Sequence, residues 1–241
     1  MSELLAWAIE AHGGLKRWNA SSRVSAELSI SGALWDLKGQ SGLFSASTFV
    51  ADTHLQSAVL GQIGALDRLM RFRPDQMTLE DATGQTIEVR DDPREAFVGH
   101  TAETPWDVLH AGYFTAYALW TYFTQPFLYA YPGFETVEIE PWHEDGEVWR
   151  RLKVTFPDHI ASHTREQITY FGPGGLMRRH DYSVDVLGGA EGAQYISDYQ
   201  DHSGIMAPHR RRVHPRGPDN RKVDEPVLVS IDIARLSFAA N

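Results

Sequence analysis

The chain has 241 residues, no cysteine and a formal net charge of −10 at pH 7. Its length fits one large domain or two small ones. Without cysteine the chain cannot form disulfides, thiolate metal sites or a cysteine nucleophile. The negative charge argues against general binding to nucleic acids or to anionic membrane surfaces.

The N-terminal segment MSELLAWAIEAHGGLKRW predicts a short helix. Ser2 is a suitable N-cap, and Gly13 and Gly14 end the helix. The segment has no basic leader and Glu10 interrupts its apolar run, so it does not resemble a secretory signal. No stretch of the sequence has the length and apolarity of a membrane-spanning helix. We therefore expect a cytoplasmic protein without an integral membrane segment.

Alternation of apolar and polar residues predicts β-strands in most of the remaining chain. In RVSAELSIS, residues 23–31, every second residue is apolar. Further strands are predicted at 44–55, 68–72, 77–80, 86–90, 136–142, 148–156, 165–171, 176–186, 194–202, 205–214 and 227–238. Short turns join them, which is typical of antiparallel pairing. We predict a mainly antiparallel α+β fold in which about eleven strands curl into a strongly curved, unclosed barrel.

One long helix is predicted in TPWDVLHAGYFTAYALWTYFTQPF, residues 104–127. Thr104 is a suitable N-cap, Pro105 fits the first helical position, and Pro126 ends the helix. Aromatic and imidazole side chains recur at steps of three and four and therefore share one face. This aromatic stripe consists of Trp106, His110, Tyr113, Tyr117 and Trp120.

The aromatic stripe has two interpretations. In the first, it packs in a filled core together with the neighbouring aliphatic stripe. That second stripe consists of Leu109, Gly112, Ala116, Leu119 and Phe123. In the other interpretation, the aliphatic stripe docks on the sheet and the aromatic stripe lines a cavity, because ligand pockets are mostly apolar and aromatic with a few polar groups. We predict the second arrangement, with the helix covering or plugging the concave side of the sheet.

Polar side chains occupy apolar faces of two predicted strands. In LMRRHDYSVDV, alternation places Arg178 and His180 beside Tyr182, and in HTREQITYF it places His163 and Arg165 on one face. Buried polar groups need partners. These side chains either form structural pairs beneath the helix or belong to a site for acid–base chemistry. The basic segment HRRRVHPRGPDNRK, residues 209–222, is interpreted as a solvated hairpin loop, with an anion-binding rim as the alternative.

A resemblance to a known family rests on several of these segments. HTAETPWDVLHAGYFTAYALW, REQITYF, GLMRRHDY and ISDYQDHSGIMAPHRRRV resemble the LolA/LolB-like lipoprotein-carrier fold. More closely, the chain resembles cytoplasmic bacterial members of similar length that have no assigned function. The resemblance implies one open-barrel domain over residues 1–241, with an apolar cavity and helices at its mouth. Members of this fold carry lipids or other apolar ligands, and some are cofactor-free enzymes.

Two functions follow as hypotheses. In the first, the protein binds a small apolar, aromatic molecule and acts on it as a cofactor-independent lyase or isomerase by proton transfer. The candidate catalytic residues are His180, His163, His110 and Tyr117. The candidate substrate-binding residues are Trp106, Tyr113, Trp120, Arg165 and Arg178.

In the second hypothesis, the protein is a non-catalytic carrier or sensor of a hydrophobic ligand, such as a lipid or a lipoprotein acyl chain. Under either hypothesis we expect no metal, no organic cofactor and no nucleic-acid partner. The sequence leaves the oligomeric state open.

Overall fold

A single antiparallel sheet of thirteen strands dominates the structure, a computed structural model that describes residues 1–64 and 67–240. The strands are β1 (Arg23–Ser31), β2 (Ser47–Asp52), β3 (Ala58–Gly61), β4 (Leu69–Arg73), β5 (Gln76–Glu80), β6 (Thr86–Asp91), β7 (Glu135–Glu144), β8 (Glu147–Thr155), β9 (Glu166–Phe171), β10 (Met177–Val184), β11 (Ala190–His202), β12 (Ile205–Pro215) and β13 (Val229–Ala239).

Two meanders build the sheet, and they meet where the first strand pairs with the last. The strand order is β6-β5-β4-β3-β2-β1-β13-β12-β11-β10-β9-β8-β7. Strands β6 and β7 are therefore the two edges, and the sheet stays open between them. The sheet is curved and unclosed, so the predicted open barrel is confirmed, with thirteen strands in the described ranges instead of about eleven.

Four α-helices accompany the sheet in the described part of the chain: α1 (Glu3–Ala11), α2 (Leu15–Asn19), α3 (Ala33–Leu37) and α4 (Val108–Thr124). Three short 3₁₀ turns cover Glu95–Phe97, Phe127–Ala130 and Asp185–Leu187. Ser2 caps α1 as predicted, because its hydroxyl accepts from the Leu5 N–H at 3.3 Å. Within residues 1–64 and 67–240, no helix combines the length and the apolarity that a membrane span requires.

Helix α4 fills the concave side of the sheet. All of its residues from Ala111 to Thr124 are buried, which is typical of a helix that is apolar all round. Its close approach to the sheet depends on Gly112, where an added Cβ would lie 2.2 Å from the Met70 sulfur. The helix therefore plugs the barrel as predicted.

Three local features differ from the prediction. The strand predicted at 44–55 ends at Asp52, whose Oδ1 accepts the N–H groups of His54 and Leu55 at 2.7 and 2.8 Å and so forms a turn before β3. Helix α3 has five residues, too few for a helical period to be visible in the sequence. The N-cap of α4 is Asp107 instead of Thr104, since the Asp107 carboxylate accepts the N–H of residue 110 at 2.8 Å.

Candidate functional site

An apolar cavity lies between helices α3 and α4 and the concave face of the sheet. It offers about 60 Å³ to water-sized molecules, and about 580 Å³ of atom-free volume when its opening to solvent is included. Leu34 and Trp35 of α3 line it on one side, and Val213 and Ile231 of the sheet line it on another. The exposed Ala190 lies at the opening.

The face of α4 that lines this cavity is not the one the sequence indicated. Five residues of α4 contact the cavity: Phe114, Thr115, Ala118, Leu119 and Tyr122. Leu119 belongs to the stripe predicted to dock on the sheet, and the other four belong to neither stripe. Because α4 is surrounded on all sides, its apolar pattern does not distinguish the cavity from the core.

The aromatic stripe itself packs in filled core. Trp106, Tyr117 and Trp120 are almost completely buried, and none of them lines the cavity. The Trp120 indole N–H donates to the Asp52 carbonyl at 2.8 Å, which anchors α4 to β2. Tyr113 packs edge-on against Phe72 of β4, with ring centroids 5.7 Å apart. The substrate-binding role of these residues stays a prediction.

Tyr113 also lines a separate, open cleft of about 370 Å³ whose lining is of mixed polarity. This cleft lies beside Arg94, whose guanidinium donates to the Ser162 carbonyl and to Asp185, each at 2.9 Å. Arg165 is at its rim, largely exposed and paired with Asp158 at 2.9 Å. The predicted proximity of Arg165 to the buried histidines is therefore wrong, because this side chain points to solvent.

His110 caps the helix. Its Nδ1 lies 3.4 Å from the Asp107 N–H while Asp107 accepts the His110 N–H, so the two residues form a reciprocal capping box. Its Nε2 lies 3.1 Å from the Ala96 carbonyl oxygen. Both ring nitrogens thus have local partners, and His110 is not among the residues that line the cavity.

A buried hydrogen-bonded network joins residues of α4 to Tyr182 of β10 and to His163, and it includes two residues of the cavity wall. The hydroxyls of Tyr122 and Tyr182, both lining the cavity, are 2.8 Å apart. The Tyr122 hydroxyl is also 2.8 Å from His163 Nε2, and the Tyr117 hydroxyl is 3.2 Å from His163 Nδ1. The His163 ring stacks on Tyr182 with centroids 4.1 Å apart. The structure therefore brings together two predicted catalytic residues, His163 and Tyr117.

Burial keeps this network neutral at physiological pH. Desolvation, with a further contribution from Arg94, lowers the pKa of His163 to about 3. Desolvation raises the pKa of Tyr122 to about 12, and it raises the pKa of Tyr182 well above its usual value. A neutral imidazole has one donor and one acceptor nitrogen, which matches the two phenol hydroxyls on either side of it.

His180 is fully buried on the cavity-facing side of β10. The Gln125 amide nitrogen lies 3.3 Å from both of its ring nitrogens and 2.7 Å from the Tyr129 hydroxyl. Desolvation, with contributions from His163 and Arg211, lowers its pKa well below the usual value. His180 therefore lies near His163 but is neutral and has no direct contact with the cavity. Its catalytic role stays a prediction.

Arg178 lies outside this cluster. A register shift between Met177 and Arg179 interrupts the alternation of β10, so sequence periodicity misplaces Arg178. Its guanidinium is partly exposed and lies 3.3 Å from the Glu147 carboxylate. The expectation that it shares the face of His180 is wrong.

A different arginine occupies the interior. Arg211 of β12 is 2% exposed. It donates to Gln194 Oε1 at 2.7 Å and to the Tyr122 carbonyl at 2.5 Å, and its guanidinium lies 4.9 Å from the centre of the Tyr122 ring. Sequence analysis missed it because it stands in HRRRV, within the segment interpreted as a solvated loop. The two-residue alternation with the apolar Val213 is the signal that could have placed it inside.

Metal ligation finds no support in the arrangement. Among residues 1–64 and 67–240, no three His, Asp or Glu side chains are grouped so that they could hold a metal ion. The buried His163 is instead hydrogen-bonded to two phenols, and His180 lies against the Gln125 amide.

Comparison with known proteins identifies the architecture. A DUF1329 family protein from Desulfovibrio piger matches with a TM-score of 0.55 and 13% sequence identity, over 98% of this chain and 91% of that protein. A LolA superfamily protein from Nitrosomonas europaea matches with a TM-score of 0.53 and 8% identity, over 99% of this chain and 93% of that one. The fold is LolA-like.

A third match has a similar extent. The domain of a putative outer membrane lipoprotein-sorting protein from Vibrio parahaemolyticus has a TM-score of 0.53 and 9% identity, over 98% of this chain and 91% of that domain. No protein-family model matches the sequence, and no curated protein matches it significantly. At these identities the similarity establishes the fold alone.

Proposed function

We propose that the protein is a non-catalytic carrier or sensor of a small apolar ligand that binds between α4 and the sheet. The observation that carries this proposal is the cavity, whose lining is almost entirely apolar. Ligand pockets are typically apolar with a few polar groups that orient the ligand. The LolA-like fold supports the same function by analogy, which is a weaker argument than the cavity itself.

Two features favour a ligand that carries a ring. Four aromatic side chains reach the cavity wall: Trp35, Phe114, Tyr122 and Tyr182. Two lining residues, Trp35 and Thr115, also carry a buried polar atom, Nε1 and Oγ1, that has no hydrogen-bond partner within the described ranges. A ligand with an apolar body and a polar substituent would satisfy them, since buried polar groups are rarely left unpaired.

The opening of the cavity gives a direct test. Ala190→Trp places a large side chain at the exposed mouth, where it can block entry without disturbing the core. We expect this variant to lose binding of an apolar fluorescent probe such as 1-anilinonaphthalene-8-sulfonate. The matched control is Ala82→Trp in the exposed turn between β5 and β6, which should bind as the unsubstituted chain does. Equal binding by both variants would contradict the proposal.

Proton-transfer catalysis by a cofactor-independent lyase or isomerase is the second candidate function. One observation favours it: the chain of hydroxyls and imidazole from Tyr182 to Tyr117 begins at the cavity wall. The low pKa of His163, about 3, makes this imidazole a weak base. Incubation of the protein with its co-purifying ligand in D₂O tests this candidate. Deuterium in a carbon–hydrogen position of the ligand, lost in His163→Gln, would favour catalysis over carriage.

We also propose a cytoplasmic location, which the resemblance to cytoplasmic bacterial proteins supports. Cell fractionation of the source organism is the test. Recovery in the membrane or periplasmic fraction would contradict the proposal.

A further inference from the structure

We propose that Arg211 binds the carboxylate of the ligand, so that the ligand is an amphiphile whose anionic head lies deep inside the barrel and whose apolar body occupies the cavity. This inference rests on the proposed function, because it assumes that the cavity holds a ligand.

The first argument is the electrostatic environment of Arg211. No Asp or Glu of residues 1–64 and 67–240 forms an ion pair with this guanidinium. Its hydrogen-bond acceptors are the neutral Gln194 amide and the Tyr122 carbonyl. A buried cation without a counterion is unfavourable, and burial accordingly lowers the pKa of Arg211. An anionic ligand would neutralise it.

The second argument is position. Arg211 pairs with Ile231 across the sheet and lies two residues before Val213 on the same face of β12. Both of these neighbours line the cavity. Residues two apart in a strand are separated by about 6.6–6.8 Å. The guanidinium also lies against the ring of Tyr122, a third residue of the cavity wall. Arg211 therefore lies directly behind three residues of the cavity wall and does not itself line the cavity.

The third argument is the side-chain amide of Gln194. Its Oε1 accepts from Arg211, while its Nε2 interacts with the Tyr122 hydroxyl without reaching the geometry of a hydrogen bond. Gln194 lies between His180 and Val213 in the register of the sheet. A carboxylate has two acceptor oxygens and binds arginine in a bidentate manner. One that bonds to Arg211 would also provide an acceptor for this amide nitrogen.

The experiment compares two ligands of equal chain length by isothermal titration calorimetry at neutral pH: octanoate and octan-1-ol. We expect octanoate to bind at least about tenfold more tightly, since losing one partner of a buried charge pair typically costs that much or more. In Arg211→Met the preference should disappear while octan-1-ol still binds. Arg150→Met, which removes a partly exposed arginine on the same sheet, is the control and should keep the preference.

The outcomes separate this inference from the proposed function. If octan-1-ol and octanoate bind equally to the unsubstituted chain, the cavity binds apolar ligands and the role of Arg211 is wrong. If octanoate is preferred but the preference survives in Arg211→Met, another group holds the carboxylate. If neither ligand binds, the proposed function itself fails. Should Arg211→Met not fold, Arg211→Gln replaces it. It removes the positive charge but keeps a polar side chain, so the preference should disappear, and survival of the preference would overturn the inference.

Discussion

The two sides of the sheet at strand β10 differ in how a buried arginine is paired. On the convex face, the buried Arg179 is held by two carboxylates, with bonds of 2.6 and 2.8 Å to Asp181 and of 3.0 Å to Glu144. On the concave face, the buried groups are neutral, and the nearby Arg211 has only neutral acceptors. One cation is thus neutralised within the protein, whereas the other is not.

This difference separates a structural cluster from a candidate site. The convex cluster is covered by Trp142, whose ring centre lies 5.6 Å from the Arg179 guanidinium, and by the Asn220 carbonyl, which accepts from it at 2.5 Å. Each of the three guanidinium nitrogens of Arg179 donates to a carboxylate. A buried cation that is already paired with carboxylates gains little by binding an anionic ligand. An unpaired buried cation favours binding of any anion that reaches it.

The largest expected effect is on the convex face. Asp181→Asn should lower the free energy of unfolding by about 3 kcal/mol, because removing one partner of a buried ion pair leaves the other charge poorly compensated. Urea denaturation measures this change. Glu138→Gln is the control, since Glu138 pairs with Arg150 at the surface. It should cost less than about 1 kcal/mol. Equal losses would show that the convex cluster is not a special stabilising unit.

The concave face should make stability depend on pH. The folded-state pKa values of His163 and His12 are lowered by burial to about 3 and about 4, from a usual value of 6.5. At pH values between the folded-state pKa and 6.5, each of these histidines binds a proton more readily in the unfolded chain than in the folded chain. Stability is therefore complete above pH 6.5 and falls as the pH drops, by about 1.4 kcal/mol per pH unit for each such histidine.

Urea denaturation between pH 7 and pH 5 measures that slope. His163→Gln should reduce it by the contribution of one histidine, whereas the exposed His159→Gln should leave it unchanged. A slope that does not differ between the two variants would mean that the imidazole of His163 is protonated in the folded protein.

Removing single hydroxyls from the concave network should have a smaller effect. Tyr122→Phe deletes the bonds to His163 and Tyr182, both 2.8 Å long, and should cost about 1–2 kcal/mol. Tyr117→Phe deletes only the 3.2 Å contact to His163 and should cost less. Thermal denaturation ranks the two variants. A larger loss of stability in Tyr117→Phe than in Tyr122→Phe would show that the hydrogen bond to His163 Nδ1 is the stronger of the two.

The smallest effect is expected for Arg211→Met. Replacing a buried charge that has no counterion by an apolar side chain of similar length is often neutral or stabilising. We expect the free energy of unfolding to change by less than about 1 kcal/mol or to increase, as measured by urea denaturation. A loss as large as that of Asp181→Asn would show that Arg211, like Arg179, is a structural cation.

Much of the fold could be predicted because apolar and polar residues alternate along a strand when one face of its sheet is buried. Val24, Ala26, Leu28 and Ile30 alternate in the sequence and are all buried in β1. The prediction failed where a local bond or bulge changes the register, as at Asp52 and Arg178. Such features depend on one or two atoms and leave no periodic signal.

The candidate site could be predicted only in part. His163 and Tyr117, both named as candidates from the sequence, meet as partners 3.2 Å apart. The cavity itself could not be located from the sequence, because α4 is apolar on every side. The face of α4 that lines the cavity therefore has the same residue pattern as the faces that pack in the core. Arg211 was hidden by Arg210 and Arg212, which are less buried and give its segment the composition of a loop.

The seam between β1 and β13 has a consequence for how the protein is made. Ile30 of β1 and Ile231 of β13 pair directly and both line the cavity, although they are roughly 200 residues apart in the sequence. Strands translated early emerge from the ribosome long before their last partner. One edge of β1 therefore stays unpaired until β13 has been synthesised. The cavity can form only after translation has passed residue 231. The proposed ligand can therefore be captured only after synthesis of β13, and the newly made chain is exposed to edge-to-edge association until the seam closes.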